Sequence, residues 1–364
     1  MTRGMRWLRT WIAAVAAVMS IAAAAAAAAA AAPAPVPRAV AAYLDAQGAK
    51  GFSGAVLVAR RGAVLERAYG LADREFAIAN TPTTKFRIGS LTKQFTATAL
   101  LMLVRGGKLS LDDSLCKFVA ACPEAWRPIR VAMLLDHSSG IPDFVRLPGM
   151  RDRFTLPAKL DDTIALLEGQ KLDFPPGSDA RYGNSGFLLA AHIIERASGE
   201  SYAHYLDAHI YGPLAMAGSG YASDAPIIAN RARGYVRRGA AIENAPYIDM
   251  SVPVGAGSQY STIEDLYRWD RALRGDALLP RALRDRMFAP GRGGFGYGWE
   301  VARENGRRVI EHNGDINGFG AFIARYPDDD AVIVILTNLE GTKVRDMKDA
   351  IAARLFAGSA AAPP

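Results

Sequence analysis

The sequence predicts an α/β (α+β) fold in which one antiparallel sheet takes strands from both ends of the chain. Apolar, strand-like runs occupy residues 52–70 and return at residues 296–337, whereas helical patterns and loops rich in Pro and Gly lie between them. The 364 residues are 50% hydrophobic and 22% charged, which is enough to bury a large core. We therefore expect a sheet flanked by helices, with a mainly helical lobe inserted between its two halves.

The N-terminal segment is predicted to lie outside this fold. Arg3, Arg6 and Arg9 precede residues 11–32, which carry no charge and end in an alanine run. This pattern is typical of an export signal, so we assign residues 1–33 to a signal peptide and expect a periplasmic or secreted protein. The stretch is also long enough to span a bilayer, so the membrane becomes a partner only if the segment stays uncleaved.

The charge balance argues against nucleic acid as a partner. The formal net charge is +7, and it falls to +4 without the three arginines of the N-terminal segment. The sequence has no basic stripe interleaved with aromatic residues, which is the usual pattern of a nucleic-acid interface. A small-molecule or peptide substrate is the partner that we expect.

The two cysteines, Cys116 and Cys122, are predicted to form a disulfide. An exported protein permits disulfides, and the five intervening residues suit a small loop. The alternative is a pair of separate buried thiols. Two cysteines with no histidine nearby do not make a zinc site.

The first part of the chain predicts a helix, a hairpin and a buried helix in that order. A short helix is expected over residues 40–47, and two strands, 52–59 and 63–70, flank Arg60-Arg61-Gly62. The helix that opens at Ser90 is apolar on nearly every side over residues 95–104, which indicates burial in the protein centre.

The remaining elements complete the two lobes. We assign residues 38–108 and 286–358 to an α/β lobe and residues 109–285 to the helical lobe. Helices are expected over residues 162–170, 186–198 and 262–273, strands over 296–303, 307–312, 321–326 and 331–337, and a closing helix over 346–356.

The candidate nucleophile is Ser90 of Ser90-Leu91-Thr92-Lys93. A serine and a lysine three residues apart share one helix face, with Cβ atoms about 5–6 Å apart, so the Lys93 amine can activate the hydroxyl. The start of a helix also gathers unpaired N–H groups that suit a developing oxyanion. The same spacing at Ser114 and Lys117 lies in a polar loop, and we attribute it to chance.

Two further short motifs lie downstream. Tyr182-Gly183-Asn184 offers a phenol for acid–base chemistry and an amide that can hold a carbonyl or position the lysine. Taken alone, it would more readily be a loop tyrosine followed by an asparagine turn.

The third motif, His312-Asn313-Gly314, is expected at the end of a strand. A glycine there lets a substrate lie against the strand edge, whose N–H can complete an oxyanion hole. A solvated histidine at a strand end is the alternative interpretation.

In this order and on these elements, the three motifs resemble the serine β-lactamase and penicillin-binding-protein-like hydrolases. Because its second motif is Tyr-x-Asn, the chain resembles the branch that contains class C β-lactamases, D-Ala-D-Ala carboxypeptidases, D-amino-acid peptidases and related esterases. The resemblance implies a β-lactamase/transpeptidase-like fold and an exported serine hydrolase. It extends to residues 86–89, 134–140 and 255–262.

The resemblance also implies a role for each residue. Ser90 would be acylated, while Lys93 and Tyr182 would move the proton, and which of the two is the base stays open. The other five residues would bind substrate, with Asn184 on the acyl-side amide and the Asp315 N–H completing an oxyanion hole with that of Ser90. They are Asn184, His312, Asn313, Gly314 and Asp315. No metal or organic cofactor is implied.

The third motif departs from the Lys-Thr-Gly of class C β-lactamases. Histidine is largely neutral at pH 7, and Asp315 adds a negative charge where a substrate carboxylate would lie. Both differences favour a D-amino-acid peptidase or an esterase, with a peptidoglycan-derived peptide as one candidate substrate. A β-lactamase, and a sensor that binds penicillin or peptidoglycan without turnover, are the alternatives.

Overall fold

The computed structural model describes residues 34–359, and the predicted signal peptide lies outside these residues. The helices, in chain order, are α1 (Arg38–Ala49), α2 (Thr92–Arg105), α3 (Val131–Leu135), α4 (Met150–Arg153), α5 (Leu160–Glu168), α6 (Ser185–Ser198), α7 (Tyr202–Leu206), α8 (Val254–Gly257), α9 (Ile263–Ala272), α10 (Arg281–Met287) and α11 (Val344–Leu355).

The strands alternate with turns at both ends of the described chain. They are β1 (Gly54–Arg60), β2 (Ala63–Tyr69), β3 (Leu71–Asp73), β4 (Ile78–Ala79), β5 (Phe86–Arg87), β6 (Gly220–Tyr221), β7 (Tyr235–Arg238), β8 (Ala241–Asn244), β9 (Gln259–Ser261), β10 (Phe295–Gly296), β11 (Trp299–Glu304), β12 (Arg307–Ile316), β13 (Phe319–Tyr326), β14 (Ala331–Thr337) and β15 (Leu339–Glu340).

The main sheet confirms the predicted fold class. Its seven strands run in the order β10-β11-β12-β13-β14-β1-β2, and every neighbouring pair is antiparallel. The N-terminal hairpin joins the C-terminal strands where β1 pairs with β14, with Gly54 opposite Thr337 and Arg60 opposite Ala331. Most helices lie in the sequence between the two halves of this sheet, as expected for an inserted helical lobe. The lobe boundaries themselves stay a prediction.

Both faces of the sheet are covered, because alternate side chains of a strand point to opposite faces. In β14, Val334 and Leu336 belong to the larger core, which includes α2, α6 and α9. Ile333 and Ile335 belong to the smaller core, which includes α1 and α11. This explains the uninterrupted apolar run of β14, since a central strand that is buried on both faces has no polar positions.

Helix α2 is the buried central helix that the sequence predicts. Twelve consecutive residues, Thr92 to Leu103, are buried, so the helix has no solvent face. Two of its buried polar side chains bond to neighbouring segments: Gln94 Oε1 accepts from Trp269 Nε1 at 3.0 Å, and Thr96 Oγ1 donates to the Gly255 carbonyl at 2.7 Å. The helix ends at Arg105 and is followed by Gly106 and Gly107, as expected.

The disulfide prediction is confirmed, whereas the short strands were missed. Cys116 and Cys122 are bonded to each other. Strands β3 to β9 contain two to four residues each, which is too few for an alternating pattern to be recognised.

Within residues 34–359, the structure contains no helix of the length and hydropathy that a membrane span requires.

A buried ion pair joins α9 to the main sheet. Asp270 on α9 accepts from Arg325 Nε on β13 at 2.8 Å and from Arg274 Nε at 3.0 Å, and the side chains of Asp270 and Arg325 are almost fully buried. Removal of one partner of such a pair leaves an uncompensated buried charge.

We expect Asp270→Ala to lower the free energy of unfolding by about 3–5 kcal/mol, because Arg325 loses its carboxylate. Urea unfolding followed by circular dichroism measures the loss. Asp276→Ala is the matched control, since Asp276 pairs with Arg284 but its side chain is 72% exposed. The control should change stability by less than about 0.5 kcal/mol. Equal losses in the two variants would contradict a role for the buried pair.

Candidate active site

Ser90 lies in a tight turn immediately before α2. The turn spans Gly89–Leu91, and Ser90 is half-buried, whereas Gly89 and Leu91 are buried. Ser90 Oγ is 3.0 Å from Lys93 Nζ, as the three-residue spacing predicts. The hydroxyl therefore remains accessible while its activating partner is inside the protein.

The Lys93 amine is fully buried and has three partners. Besides Ser90, its Nζ donates to Asn184 Oδ1 at 2.9 Å and to the Ala256 carbonyl at 2.9 Å. Burial lowers the pKa of Lys93 to about 7, and the negative charge of Asp143 opposes that shift. A large fraction of the amine is thus neutral near pH 7 and able to accept a proton.

Asn184 connects Lys93 to an acidic side chain. Its Nδ2 lies 3.2 Å from both carboxylate oxygens of Asp143, and its backbone N–H donates to Asp143 Oδ1 at 3.1 Å. Of its two roles considered from sequence, the structure forms the contact to the lysine. Binding of an acyl-side amide would use the second Nδ2 hydrogen.

Tyr182 lies over the lysine, and its phenol interacts with the Ser90 hydroxyl. Lys93 Nζ is 5.0 Å from the centroid of the Tyr182 ring. Burial raises the pKa of Tyr182; the interaction with Ser90 opposes this shift, and the nearby charges of Asp143, Glu300 and Asp315 add to it. The phenol consequently keeps its proton at neutral pH and is suited to donate it.

The third motif lies inside β12, which corrects the prediction of a strand end. The strand continues to Ile316 because β13 pairs with it as far as Ile316 opposite Phe319. On the other edge, pairing with β11 stops at Glu311 opposite Glu300. Residues 312–316 therefore have an edge that no strand of the main sheet covers.

Two glycines bring this edge against the Ser90 turn. A Cβ at Gly314 would lie 2.1 Å from the Ile88 carbonyl oxygen, and a Cβ at Gly89 would lie 2.9 Å from the Asp315 backbone nitrogen. Gly89 also has a φ of +50°, a conformation that favours glycine. The backbone of β12 is thus in direct contact with the turn that carries the nucleophile.

His312 is neutral in this site. Its side chain is buried, and this burial, together with the charge of Lys93, lowers its pKa to about 3. Asn313 Nδ2 donates to Asp315 Oδ2 at 2.9 Å. Burial raises the pKa of Asp315, and the Asn313 hydrogen bond opposes that shift.

The structure therefore brings together all the residues singled out from sequence, and it adds three that were missed as parts of the site. Asp143 holds Asn184, the Ala256 carbonyl accepts from Lys93, and His137 Nδ1 accepts from the Gly183 backbone N–H at 3.3 Å. His137 and Ala256 lie in segments noted from sequence, but nothing there assigned a partner. Asp143 follows the first of those segments by three residues.

The second Ser-x-x-Lys pair, which we attributed to chance, makes only local contacts. Ser114 Oγ accepts from the Cys116 backbone N–H at the start of a short helical turn, and Lys117 pairs with Asp113 at 2.8 Å. Among residues 34–359, no group of three or more His, Cys, Asp or Glu side chains is arranged to hold a metal ion.

A cavity of about 320 Å³ adjoins Tyr182. It lies between the segment after α3 and the start of α6, and Asp143 and Gly183 are among its lining residues. Its size is at the lower end of the range for small-molecule sites.

Comparison with known proteins gives a consistent result. A family model described as Beta-lactamase matches residues 36–358. PbpX of Bacillus subtilis (strain 168), named as a penicillin-binding protein, is 30% identical over 293 residues, covering 80% of this chain and 71% of PbpX.

Two solved structures share the fold. The penicillin binding protein from Bacillus halodurans has a TM-score of 0.77 at 27% identity, covering 86% of this chain and 99% of its own. The D-amino acid amidase from Ochrobactrum anthropi SV3, complexed with L-phenylalanine, has a TM-score of 0.77 at 25% identity, covering 87% and 97%.

We expect Gly314→Ala to lower the free energy of unfolding by about 1–3 kcal/mol, because the added methyl group collides with the backbone at Ile88. Thermal or urea unfolding measures the change. Gly275→Ala is the control, since a Cβ there meets no atom within 4 Å and should leave stability nearly unchanged. A Gly314→Ala protein as stable as the parent would show that the turn and β12 are not in close contact.

Proposed function

The chain belongs to the Beta-lactamase family, and from that membership we propose that it hydrolyses peptide, amide or ester bonds through an acyl-enzyme on Ser90. It is a serine hydrolase of the β-lactamase and penicillin-binding-protein superfamily. The observation that carries the proposal is the contact of Ser90 Oγ with a buried amine whose pKa is about 7. A base poised near neutral pH is what activation of a serine requires.

The contacts of Lys93 support its role as the base. The Ala256 carbonyl and Asn184 Oδ1 can only accept hydrogen bonds, so they engage both N–H groups of a neutral amine. The remaining lone pair is then directed at its third neighbour, the Ser90 hydroxyl, which donates its proton as it attacks the substrate carbonyl.

Tyr182 would act as the acid for the leaving group. Its raised pKa keeps the phenol protonated, and its interaction with the Ser90 hydroxyl places it beside the reacting bond. The proton taken up by Lys93 stays in the site and restores the phenol. The backbone N–H groups of Ser90 and Asp315 would stabilise the oxyanion, and water then releases the acyl group.

The third motif favours substrates without a carboxylate beside the scissile bond. A neutral His312 supplies no positive charge, and the Asp315 carboxylate repels an anion. The name of the D-amino acid amidase that shares this fold supports an amide of a D-amino acid as one substrate, and simple esters fit the same requirement. β-Lactams and peptides that end in a free carboxylate would react less well.

We propose that the protein acts outside the cytoplasm, in the periplasm or after secretion. The export-like pattern of residues 1–33 supports this location. The Cys116–Cys122 disulfide also supports it, because such bonds persist in oxidising compartments.

A second candidate function is the covalent binding of penicillin without turnover, and the names of PbpX and the Bacillus halodurans protein favour it. Intact mass before and after exposure to benzylpenicillin separates the two functions. A lasting adduct that is absent from Ser90→Ala would indicate slow deacylation, whereas an unmodified protein that hydrolyses a p-nitrophenyl ester would indicate an esterase or amidase.

We expect Ser90→Ala to abolish ester and amide turnover, a loss of roughly 10⁶-fold, because the nucleophile is removed. Hydrolysis of a p-nitrophenyl ester and of a D-amino acid p-nitroanilide measures it, and circular dichroism should show an unchanged fold. Ser114→Ala is the matched control from the second Ser-x-x-Lys pair and should keep full activity. Hydrolysis retained by Ser90→Ala would overturn the proposed mechanism.

We expect the double substitution Asn313→Thr and Asp315→Ser to raise the acylation rate by benzylpenicillin about five-fold, because roughly 1 kcal/mol of repulsion between carboxylates is removed. Stopped-flow or mass-resolved acylation measures the rate. Asp328→Ser, on the exposed turn before β14, tests for a general effect of charge and should leave the rate unchanged. An equal rate in the double variant and the parent would count against the charge argument.

A further inference from the structure

The Asp143 carboxylate is shielded from solvent and directed at Asn184. The Asp143 side chain is 11% exposed. Its oxygens accept three hydrogen bonds from Asn184, two from the side-chain Nδ2 and one from the backbone N–H. Its other charged neighbour is Arg146, whose Nε is 4.0 Å away on a side chain that is 74% exposed. Asp143 makes no hydrogen bond to Ser90 or Lys93, so its effect on the geometry of the site would pass through Asn184, whereas its charge also acts on Lys93 through space.

The carboxylate determines which way the Asn184 amide points. A carboxylate can only accept hydrogen bonds, so the Nδ2 side of the amide must face Asp143. The Oδ1 side is thereby turned towards Lys93 Nζ at 2.9 Å. The reversed amide would place two oxygens against each other at Asp143 and present an N–H group to Lys93.

The direction of the amide in turn determines the direction of the Lys93 lone pair. With Oδ1 facing the amine, both N–H groups of neutral Lys93 have acceptors, and the lone pair is left for Ser90. With the amide reversed, Asn184 would donate to the lone pair and direct it away from the nucleophile. One buried carboxylate thus controls whether the base is aimed at the serine.

The other titratable side chains around Lys93 are uncharged, so Asp143 supplies the charge that acts on the amine. Three titratable side chains pack around the amine, namely His137, Tyr182 and His312. The shifts in their pKa values, downward for the histidines and upward for the tyrosine, keep all three uncharged at neutral pH. Asp143 is the group whose charge opposes the effect of burial on the pKa of Lys93.

We propose that Asp143 is a positioning residue, which orients the Asn184 amide so that the Lys93 lone pair faces Ser90. This inference rests on the proposed hydrolytic function and assigns to it a residue that sequence analysis did not find. The segment around Asp143 does not depend on the carboxylate for its own position. Ser185 Oγ donates to the Pro142 carbonyl at 2.6 Å and accepts from the Phe144 backbone N–H at 2.8 Å.

A double-mutant cycle tests whether Asp143 acts through Asn184. We expect Asp143→Ala and Asn184→Ala each to lower kcat for a p-nitrophenyl ester about 100-fold, the effect of a misplaced catalytic group. The double variant should lose little more than either single variant, because the second change removes a contact that is already lost. Losses that multiply to about 10⁴-fold, or full activity in Asp143→Ala, would overturn the proposal.

The pH profile of the near-isosteric Asp143→Asn variant is the second measurement, and it does not depend on the alanine variants folding. Loss of the negative charge lowers the pKa of Lys93, so the limb of the kcat/KM profile that belongs to Lys93 should move to lower pH. Because Lys93 acts as a neutral base in the proposed mechanism, its titration gives the acidic limb. The variant should therefore stay active at lower pH than the parent. Asp179→Asn, an exposed carboxylate three residues before Tyr182, is the control and should leave the limb in place.

An unmoved limb in Asp143→Asn would mean that the carboxylate is not directed at the lysine and its amide partner, and that result would overturn the proposal. Failure of the proposed function is a separate outcome, since it appears as turnover retained by Ser90→Ala.

Discussion

The central constraint in this structure is the burial of the Lys93 amine. An ammonium group in a dry interior costs several kcal/mol unless it is neutralised or surrounded by acceptors, and here both occur. The acceptors come from segments far apart in sequence, at Asn184 and Ala256, and they meet only because α2, α6 and α8 pack together. The apolar character of α2 is therefore part of the chemistry, since it keeps water from the base.

The sequence was most informative where a pattern is long or a motif is complete. The apolar, strand-like runs of β12 to β14 and the apolar character of α2 on nearly every side predicted the sheet and its central helix. The three short motifs identified Ser90, Lys93 and Tyr182. Asp143 could not be found in this way, because its role depends on a contact with Asn184 across 41 residues and not on local spacing. The extent of β12 was missed because the apolar run that predicted the strand ends at His312, whereas Gly314 lies within the strand and its small size permits contact with Ile88.

The site combines a tunable base with a third motif that has no fixed positive charge. Burial and Asp143 act on the pKa of Lys93 in opposite directions, and the result lies near neutrality. His137 and His312 lie near Lys93 and are uncharged at neutral pH. No positive charge on a histidine therefore offsets the negative charge of Asp315. In the proposed mechanism, Ser90 and Lys93 would serve acyl transfer in general, whereas the charge of the strand edge beside them would select the substrates.

The pairing of β1 with β14 has a consequence for when the protein becomes reactive. Ser90 is synthesised early, but the strand edge that lies against its turn begins at His312, more than two hundred residues later. Pairing between such distant segments closes a long loop and is slow compared with local helix formation. A partly translated chain therefore carries Ser90 and Lys93 without the strand edge of residues 312–316, and the proposed hydrolytic capacity would arise only when the C-terminal strands have joined the sheet.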